Sequence, residues 1–147
     1  MSVWLLDVNV LVARFWEPHA FHLKVRLWLN QHAHEGWATC PITQLGLVRT
    51  LSNPAFDASA PRPAVVLNSL AEALRTSRYH QFWEDSSQAE LACQAFSSRL
   101  TGHKQVTDAY LLGLAMQRGG KLLTLDRRLA VLAPEGSPVH QAVVILQ

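Results

Sequence analysis

The sequence predicts an α/β fold of three layers, α/β/α, with a mainly parallel central sheet of about five strands. Short apolar runs alternate along the chain with longer segments of helical periodicity, which is the pattern of strands joined by helical crossovers. The apolar runs are continuous rather than alternating, as is typical of parallel strands buried on both faces. A length of 147 residues suits one domain, so we expect residues 1–147 to form a single unit.

Five short runs are predicted to be the strands. Each has four or five residues, most of them apolar, and is followed by polar or turn-forming residues. A run of this length between turn signals is typical of a buried strand. In chain order they are Val3–Leu6, Gly36–Cys40, Tyr79–Trp83, Lys121–Leu125 and Ala142–Leu146.

The segments between these runs are predicted to be helices, because their apolar residues recur every three or four positions. Pro41 suits a first helical turn, and Asn53-Pro54 suits a helix end. Ser87 and Glu90 have the spacing of a capping box. Gly119-Gly120 follows another helix as its C-terminal cap. In chain order the helices start near Asn9 and then cover Ala20–Gln31, Pro41–Leu51, Val65–Ser77, Ser87–Leu100, Thr107–Arg118 and Arg127–Leu132.

The composition excludes several classes of protein. With 49% hydrophobic and 16% charged residues, the chain is too apolar to be disordered. Thirteen basic and eleven acidic residues give a net charge of +2, so any nucleic-acid contact must be local. No apolar stretch approaches the roughly 18–20 residues of a membrane span, and we expect a cytoplasmic protein. Cys40 and Cys93 lack metal-site spacing and are predicted to be small hydrophobic residues.

Three aspartates are the strongest candidates for chemistry. Asp7 and Asp126 each follow an apolar run, so they are expected to meet at the carboxyl edge of the sheet. Asp108 lies at the start of an almost wholly apolar helix. Each alone could cap a helix. Together in one crevice they would repel each other and lose hydration, a cost that a hard cation such as Mg²⁺ or Mn²⁺ relieves.

The chain resembles PIN-domain ribonucleases and, more narrowly, the VapC-type toxins of bacterial toxin–antitoxin modules. The resemblance runs from about Val3 to Leu146. It implies a single PIN-like nuclease domain, a metal-dependent endoribonuclease that hydrolyses RNA phosphodiester bonds as the toxin of such a pair. The motifs that carry it are Asp7-Val8-Asn9, Cys40-Pro41-Ile42-Thr43-Gln44-Leu45-Gly46, Gly102 to Tyr110, and Leu123-Thr124-Leu125-Asp126.

The resemblance also implies a catalytic pocket of three or four acids that binds Mg²⁺ or Mn²⁺. The family pattern usually has glutamate where this chain has Gln44, which keeps an oxygen donor but loses the charge. Asn9 and Thr124 are expected to orient the metal ligands or a water molecule. The residues that match the family's acids are Asp7, Asp108 and Asp126.

Basic residues near the acids are expected to hold RNA through its phosphates. For any single one, an ordinary solvated charge is the alternative. The candidates are Arg14, Arg49, Lys104, Arg127 and Arg128.

The resemblance further implies a homodimer and a small antitoxin protein whose tail lies across the acidic pocket, often presenting an arginine to it. A guanidinium is a suitable partner for clustered carboxylates. Phe15, Trp16 and the segment around Phe56 are candidates for the apolar contact, with ordinary packing as the alternative. No membrane partner is expected.

Two other functions stay open. A non-catalytic PIN-like module that binds RNA or protein is favoured by Gln44 in place of glutamate. An aspartyl-phosphate phosphotransferase is suggested by an aspartate that ends the first strand. The second is the weaker alternative, because Asn9 stands where a second acid is needed and no obvious lysine partner follows.

Overall fold

A computed structural model describes residues 2–147 and confirms the predicted fold class. Its five strands form one sheet in the order β3-β2-β1-β4-β5, and every neighbouring pair is parallel. Each strand lies within its predicted run and loses only one or two end residues. The strands are β1 (Trp4–Leu6), β2 (Trp37–Thr39), β3 (His80–Phe82), β4 (Lys121–Thr124) and β5 (Val143–Ile145).

Six α-helices connect and cover the strands, with short 3₁₀ turns between them. None of the helices within residues 2–147 combines the length and the apolarity needed to cross a membrane. The helices are α1 (Val8–Phe15), α2 (His22–His32), α3 (Pro41–Leu51), α4 (Pro63–Thr76), α5 (Ala89–Cys93) and α6 (Val106–Gln117).

The prediction of one helix from Ser87 to Leu100 was wrong in two respects. The α-helix ends at Cys93, and a 3₁₀ segment continues it over Gln94–Arg99. The residue before α5 is Gln88, and the hydroxyl of Ser87 donates to the side chain of Gln117 on α6 instead of capping α5. A tertiary partner therefore replaces the local capping interaction that the spacing suggested.

Two hydrophobic clusters show the three layers directly. In β1, Leu5 belongs to one cluster, while Trp4 and Leu6 belong to the other. The first cluster joins the sheet to α5 and α6, and the second joins it to α1, α2, α3 and α4. Both faces of the central strands are thus buried, which explains why their sequences are apolar without interruption.

Helix α6 lies in close contact with α5. A Cβ atom added to Gly113 of α6 would lie 1.8 Å from the carbonyl oxygen of Ala92 in α5, so only glycine allows this approach. Seven consecutive residues of α6, from Ala109 to Ala115, are buried. This packing fixes the start of α6, and with it Asp108, relative to the sheet.

Candidate acidic site at the carboxyl edge of the sheet

Strands β1 and β4 are neighbours at the centre of the sheet and end at the same edge. Asp7 follows β1 directly, and Asp126 follows β4 after Leu125. Asp108 reaches the same place from the first turn of α6. We call this cavity the acidic groove; it has a volume of about 370 Å³. The residues that line it are Asp7, Val8, Asn9, Val12, His19, Thr50, Phe56, Asp108 and Asp126.

Asp7 is buried and is held by two short hydrogen bonds, with a third and longer one from the Asn9 amide to Oδ2 at 3.4 Å. Its Oδ1 accepts from the backbone N–H of Val8 at 2.7 Å, which makes it the N-cap of α1. The Thr124 hydroxyl donates to Oδ2 at 2.7 Å. Burial raises the pKa of Asp7, the two hydrogen bonds oppose that effect, and the charge of Asp126 adds to it. The carboxylate is therefore fixed in position but disfavoured as an anion.

Asn9 and Thr124 connect Asp7 to the turn that carries Asp126. The Asn9 amide donates to Thr124 Oγ1 at 3.1 Å, and Asn9 Oδ1 accepts from the backbone N–H of Leu125 at 3.0 Å. Thr124 Oγ1 also accepts from the backbone N–H of Asp126 at 3.1 Å. This network holds the ends of β1 and β4 together, a geometry that suits the predicted supporting role.

Asp108 is partly buried and shares the groove with the other two acids. Burial, followed by the charges of Asp7 and Asp126, raises the pKa of Asp108 to about 6, against the lowering effect of Arg128. The effect of the two other charges on Asp108 means that the three carboxylates lie close enough to repel one another. A positive charge placed among them would relieve the repulsion.

Asp126 is paired with a side chain of its own turn. The guanidinium of Arg128 donates to both carboxylate oxygens, with Nε at 3.0 Å from Oδ1 and Nη2 at 2.8 Å from Oδ2. These bonds lower the pKa of Asp126.

Among residues 2–147, no three His, Cys, Asp or Glu side chains converge closely enough to enclose a metal ion as they stand. A cation in the groove would compete with Arg128 for Asp126.

Gln44 is not among the residues that line the acidic groove. Its amide donates to Thr39 Oγ1 at 2.8 Å, and that hydroxyl is bonded to Nε2 of His80 at 2.8 Å. The α3 residue that lines the groove is Thr50. Positions 44 and 50 lie on different sides of a helix with 3.6 residues per turn. Because Thr39 ends β2 next to β1, whose end carries Asp7, the predicted catalytic role of Gln44 stays a prediction.

The basic candidates are also separated by the fold. Helix α1 runs back from Asp7, so Arg14 near its end lies at the amino edge of the sheet, with its guanidinium 5.2 Å from the ring centre of Trp37. Its expected place beside the acids is therefore wrong. Arg128 contacts Asp126 directly. The three remaining candidates are exposed and close in sequence to groove residues: Arg49, Lys104 and Arg127.

Two polar residues of the groove were not predicted from the sequence. Thr50 has no feature that separates it from an ordinary helix residue. His19 is one of seven scattered histidines, and only the folded loop after α1 brings it to the groove. Its Nδ1 accepts from the backbone N–H of Phe21 at 3.0 Å. Nothing in the residue spacing around either position predicted this placement.

Comparison with known proteins defines the class. The PIN domain model matches residues 4–134. Ribonuclease VapC39 of Mycobacterium tuberculosis is 38% identical over 132 residues, covering 90% of this chain and 94% of that protein. Ribonuclease VapC44 of the same organism is 41% identical over 136 residues, covering 90% and 92%. Ribonuclease VapC38, also from that organism, is 40% identical over 131 residues, covering 89% and 90%. The chain therefore belongs to the PIN-domain proteins and, among them, to the VapC ribonuclease family.

Proposed function

We propose that this chain, as a single PIN-like nuclease domain over residues 1–147, is an Mg²⁺- or Mn²⁺-dependent endoribonuclease and the toxin of a toxin–antitoxin pair. The observation that carries the proposal is the meeting of Asp7, Asp108 and Asp126, from three separate elements, in one groove. The family relationship to proteins named ribonucleases supports it. The reaction is hydrolysis of an RNA phosphodiester bond.

The residues of the acidic groove fit a hard divalent cation. Asp7, Asp108 and Asp126 offer oxygen donors, which Mg²⁺ and Mn²⁺ prefer. Burial, followed by repulsion from Asp7 and Asp126, raises the pKa of Asp108, and this repulsion marks a place where positive charge is favourable. When bound, such an ion activates water and neutralises charge that develops on the phosphate. Asp126 would exchange its bond to Arg128 for this ion.

The other residues at the groove hold Asp7 in position and bind the RNA phosphates. Val8 N–H and the Thr124 hydroxyl fix the two oxygens of Asp7, and Asn9 supports Thr124. Once released from Asp126, the Arg128 guanidinium lies beside the groove and can bind an RNA phosphate through two parallel hydrogen bonds. Arg49, Lys104 and Arg127 are exposed and available to other phosphates, whereas Arg14 is excluded by its place at the opposite edge.

The test is incubation of the purified chain with a mixture of RNA oligonucleotides with and without Mn²⁺. We expect internal cleavage that requires the metal and is absent in Asp7→Asn. Binding of RNA without cleavage by the wild type would instead favour the non-catalytic module. A stoichiometric phosphoryl adduct on Asp7 in the presence of a phosphate mimic would favour the phosphotransferase. Either result would overturn the proposal.

Gln44→Glu is expected to leave Mn²⁺ affinity within about twofold of the wild type, because the side chain faces Thr39 rather than the acids. Isothermal titration with Mn²⁺ measures this, and Asp7→Asn serves as the comparison that loses binding. The substitution also removes the side-chain N–H of residue 44 that now donates to Thr39 Oγ1. A clear gain in affinity would show that residue 44 reaches the metal and would contradict its assigned position.

The proposal extends to an antitoxin and a homodimer. An apolar groove of about 220 Å³ lies between α1, α3 and α4 and shares Phe56 with the acidic groove. A bound segment could fill it and pass an arginine to the acids. The bidentate pair of Arg128 with Asp126 shows that a guanidinium is accepted there. The apolar groove is lined mainly by Phe15, Trp16, Leu47, Leu51, Phe56 and Leu70.

Expression of the wild type alone is expected to arrest growth of a bacterial host, because RNA cleavage would be unchecked. Asp7→Asn should be harmless at the same expression level. Sedimentation of the purified chain at micromolar concentration should give a dimer. Harmless expression of soluble wild type would contradict the toxin role, and a monomer would contradict the dimer.

A further inference from the structure

The acidic groove is also lined by side chains with no role in holding a cation. They are His19, Phe56 and Val12. Phe56 is 38% exposed although it is a large apolar residue, and His19 is half-buried beside it. With a cation bound among its carboxylates, a groove that also carries aromatic rings would suit a ligand that is both anionic and aromatic.

Phe56 is held in place by a well-defined turn. Asn53 Oδ1 accepts from the N–H of Ala55 at 2.9 Å, and the carbonyl of Asn53 accepts from the N–H of Phe56 at 2.9 Å. The indole of Trp16 packs against the Phe56 ring at a centroid distance of 4.7 Å. The ring is thus supported from behind while part of it stays open to solvent, as a stacking platform must be.

One hydrogen bond sets the tautomer of the neutral His19 ring. Because Nδ1 accepts the backbone N–H of Phe21, the proton of the neutral ring is on Nε2, which is free to act as a donor. Burial, with a smaller contribution from the charge of His22, lowers the pKa of His19 and favours this neutral form. Trp16 also packs edge-on to the imidazole, with ring centroids 6.3 Å apart. The imidazole therefore offers both a flat face and one N–H donor.

We infer that His19 and Phe56 form a nucleobase subsite for single-stranded RNA, with Trp16 as a positioning residue behind both rings. The inference rests on the proposed nuclease function. A nucleotide whose phosphate lies at the acids carries its base along the groove, where it stacks on Phe56 and accepts a hydrogen bond from His19 Nε2. Bases of single-stranded RNA are bound in this manner by aromatic and histidine side chains.

The test uses one cleavable RNA oligonucleotide and a set of its copies, each lacking the base at one position. In the wild type, loss of the base next to the cleaved phosphate should raise KM by roughly 5- to 100-fold with kcat little changed, the range of one stacked base. In Phe56→Ala and His19→Ala, KM for the intact RNA should rise similarly, and removal of that base should have little further effect. Phe56→Trp should restore the low KM.

Tyr79→Ala is the matched control, because Tyr79 is similarly exposed at 41% but precedes β3 at the other edge of the sheet. Equal sensitivity to base removal in wild type and Phe56→Ala would overturn the subsite while leaving the nuclease intact. A second contrary result is that Phe56→Ala and His19→Ala keep the wild-type KM for RNA but lose inhibition by a cognate antitoxin. These two residues would then belong to the site of the protein partner, and the nucleobase subsite would be overturned. No metal-dependent cleavage by the wild type would overturn the proposed function, and the subsite with it.

Discussion

Asp7→Asn is expected to lower RNA cleavage by roughly 10³-fold or more, because metal assistance contributes several kcal/mol and each 1.4 kcal/mol is a factor of ten. The fold should be kept. Asparagine is as good an N-cap as aspartate, and its oxygen can still accept the N–H of Val8. Removal of a buried charge also ends the repulsion with Asp126.

The measurement combines single-turnover cleavage in Mn²⁺ with urea unfolding of the same preparation. Loss of cleavage with an unchanged or higher unfolding midpoint is the expected pair of results. Asp7→Ala separates the two roles of this residue, since it removes both the charge and the cap. If Asp7→Asn unfolded the protein, the carboxylate of Asp7 would be required for folding, and its assignment to a catalytic site would be contradicted.

Asp108→Asn is expected to stabilise the metal-free protein at pH 8 by about 1–2 kcal/mol, an effect reduced by the partial exposure of this acid. The pKa of Asp108 is raised from 3.8 to about 6 in the folded state. The folded protein therefore binds the proton more tightly than the unfolded chain. Stability from this group is greatest below about pH 4 and is lost as pH rises to about 6. Asparagine does not ionise, so the variant keeps this stability as the pH rises.

Urea unfolding between pH 4 and pH 8, in the presence of a chelator, measures the effect. The gain should be large at pH 8 and small at pH 4. Asp126→Asn is the control with the opposite sign, because Arg128 lowers the pKa of Asp126. Added Mn²⁺ should stabilise the wild type and reduce the advantage of Asp108→Asn. A pH-independent difference would mean that the pKa of Asp108 is not raised in the folded protein, which would contradict the prediction.

The sequence predicted those parts of the site that depend on strand ends. Val3–Leu6 and Lys121–Leu125 are apolar because both faces of the central strands are covered, and the acids that follow them must leave at one edge. Asp108 could be added because α6 is buried along its length. In each case a one-dimensional pattern determines a three-dimensional position.

The parts that could not be predicted depend on which way a side chain points and how far an element extends. Gln44 lies on α3 together with the groove residue Thr50, but its amide is hydrogen-bonded to Thr39 and it does not line the groove. Arg14 follows Asp7 by only two helical turns, yet α1 carries it to the other edge. His19 and Phe56 reach the groove through loops, whose paths are set by packing rather than by periodicity.

A crystal structure of the chain grown with Mn²⁺ tests the central claim most directly, because the metal can be located by its anomalous scattering. We expect an anomalous peak in the acidic groove, at roughly 2.0–2.2 Å from oxygens of Asp7, Asp108 and Asp126, with Arg128 released from Asp126. A groove without such a peak at saturating Mn²⁺, with Arg128 still bound to Asp126, would contradict the claim that these three acids form a metal site.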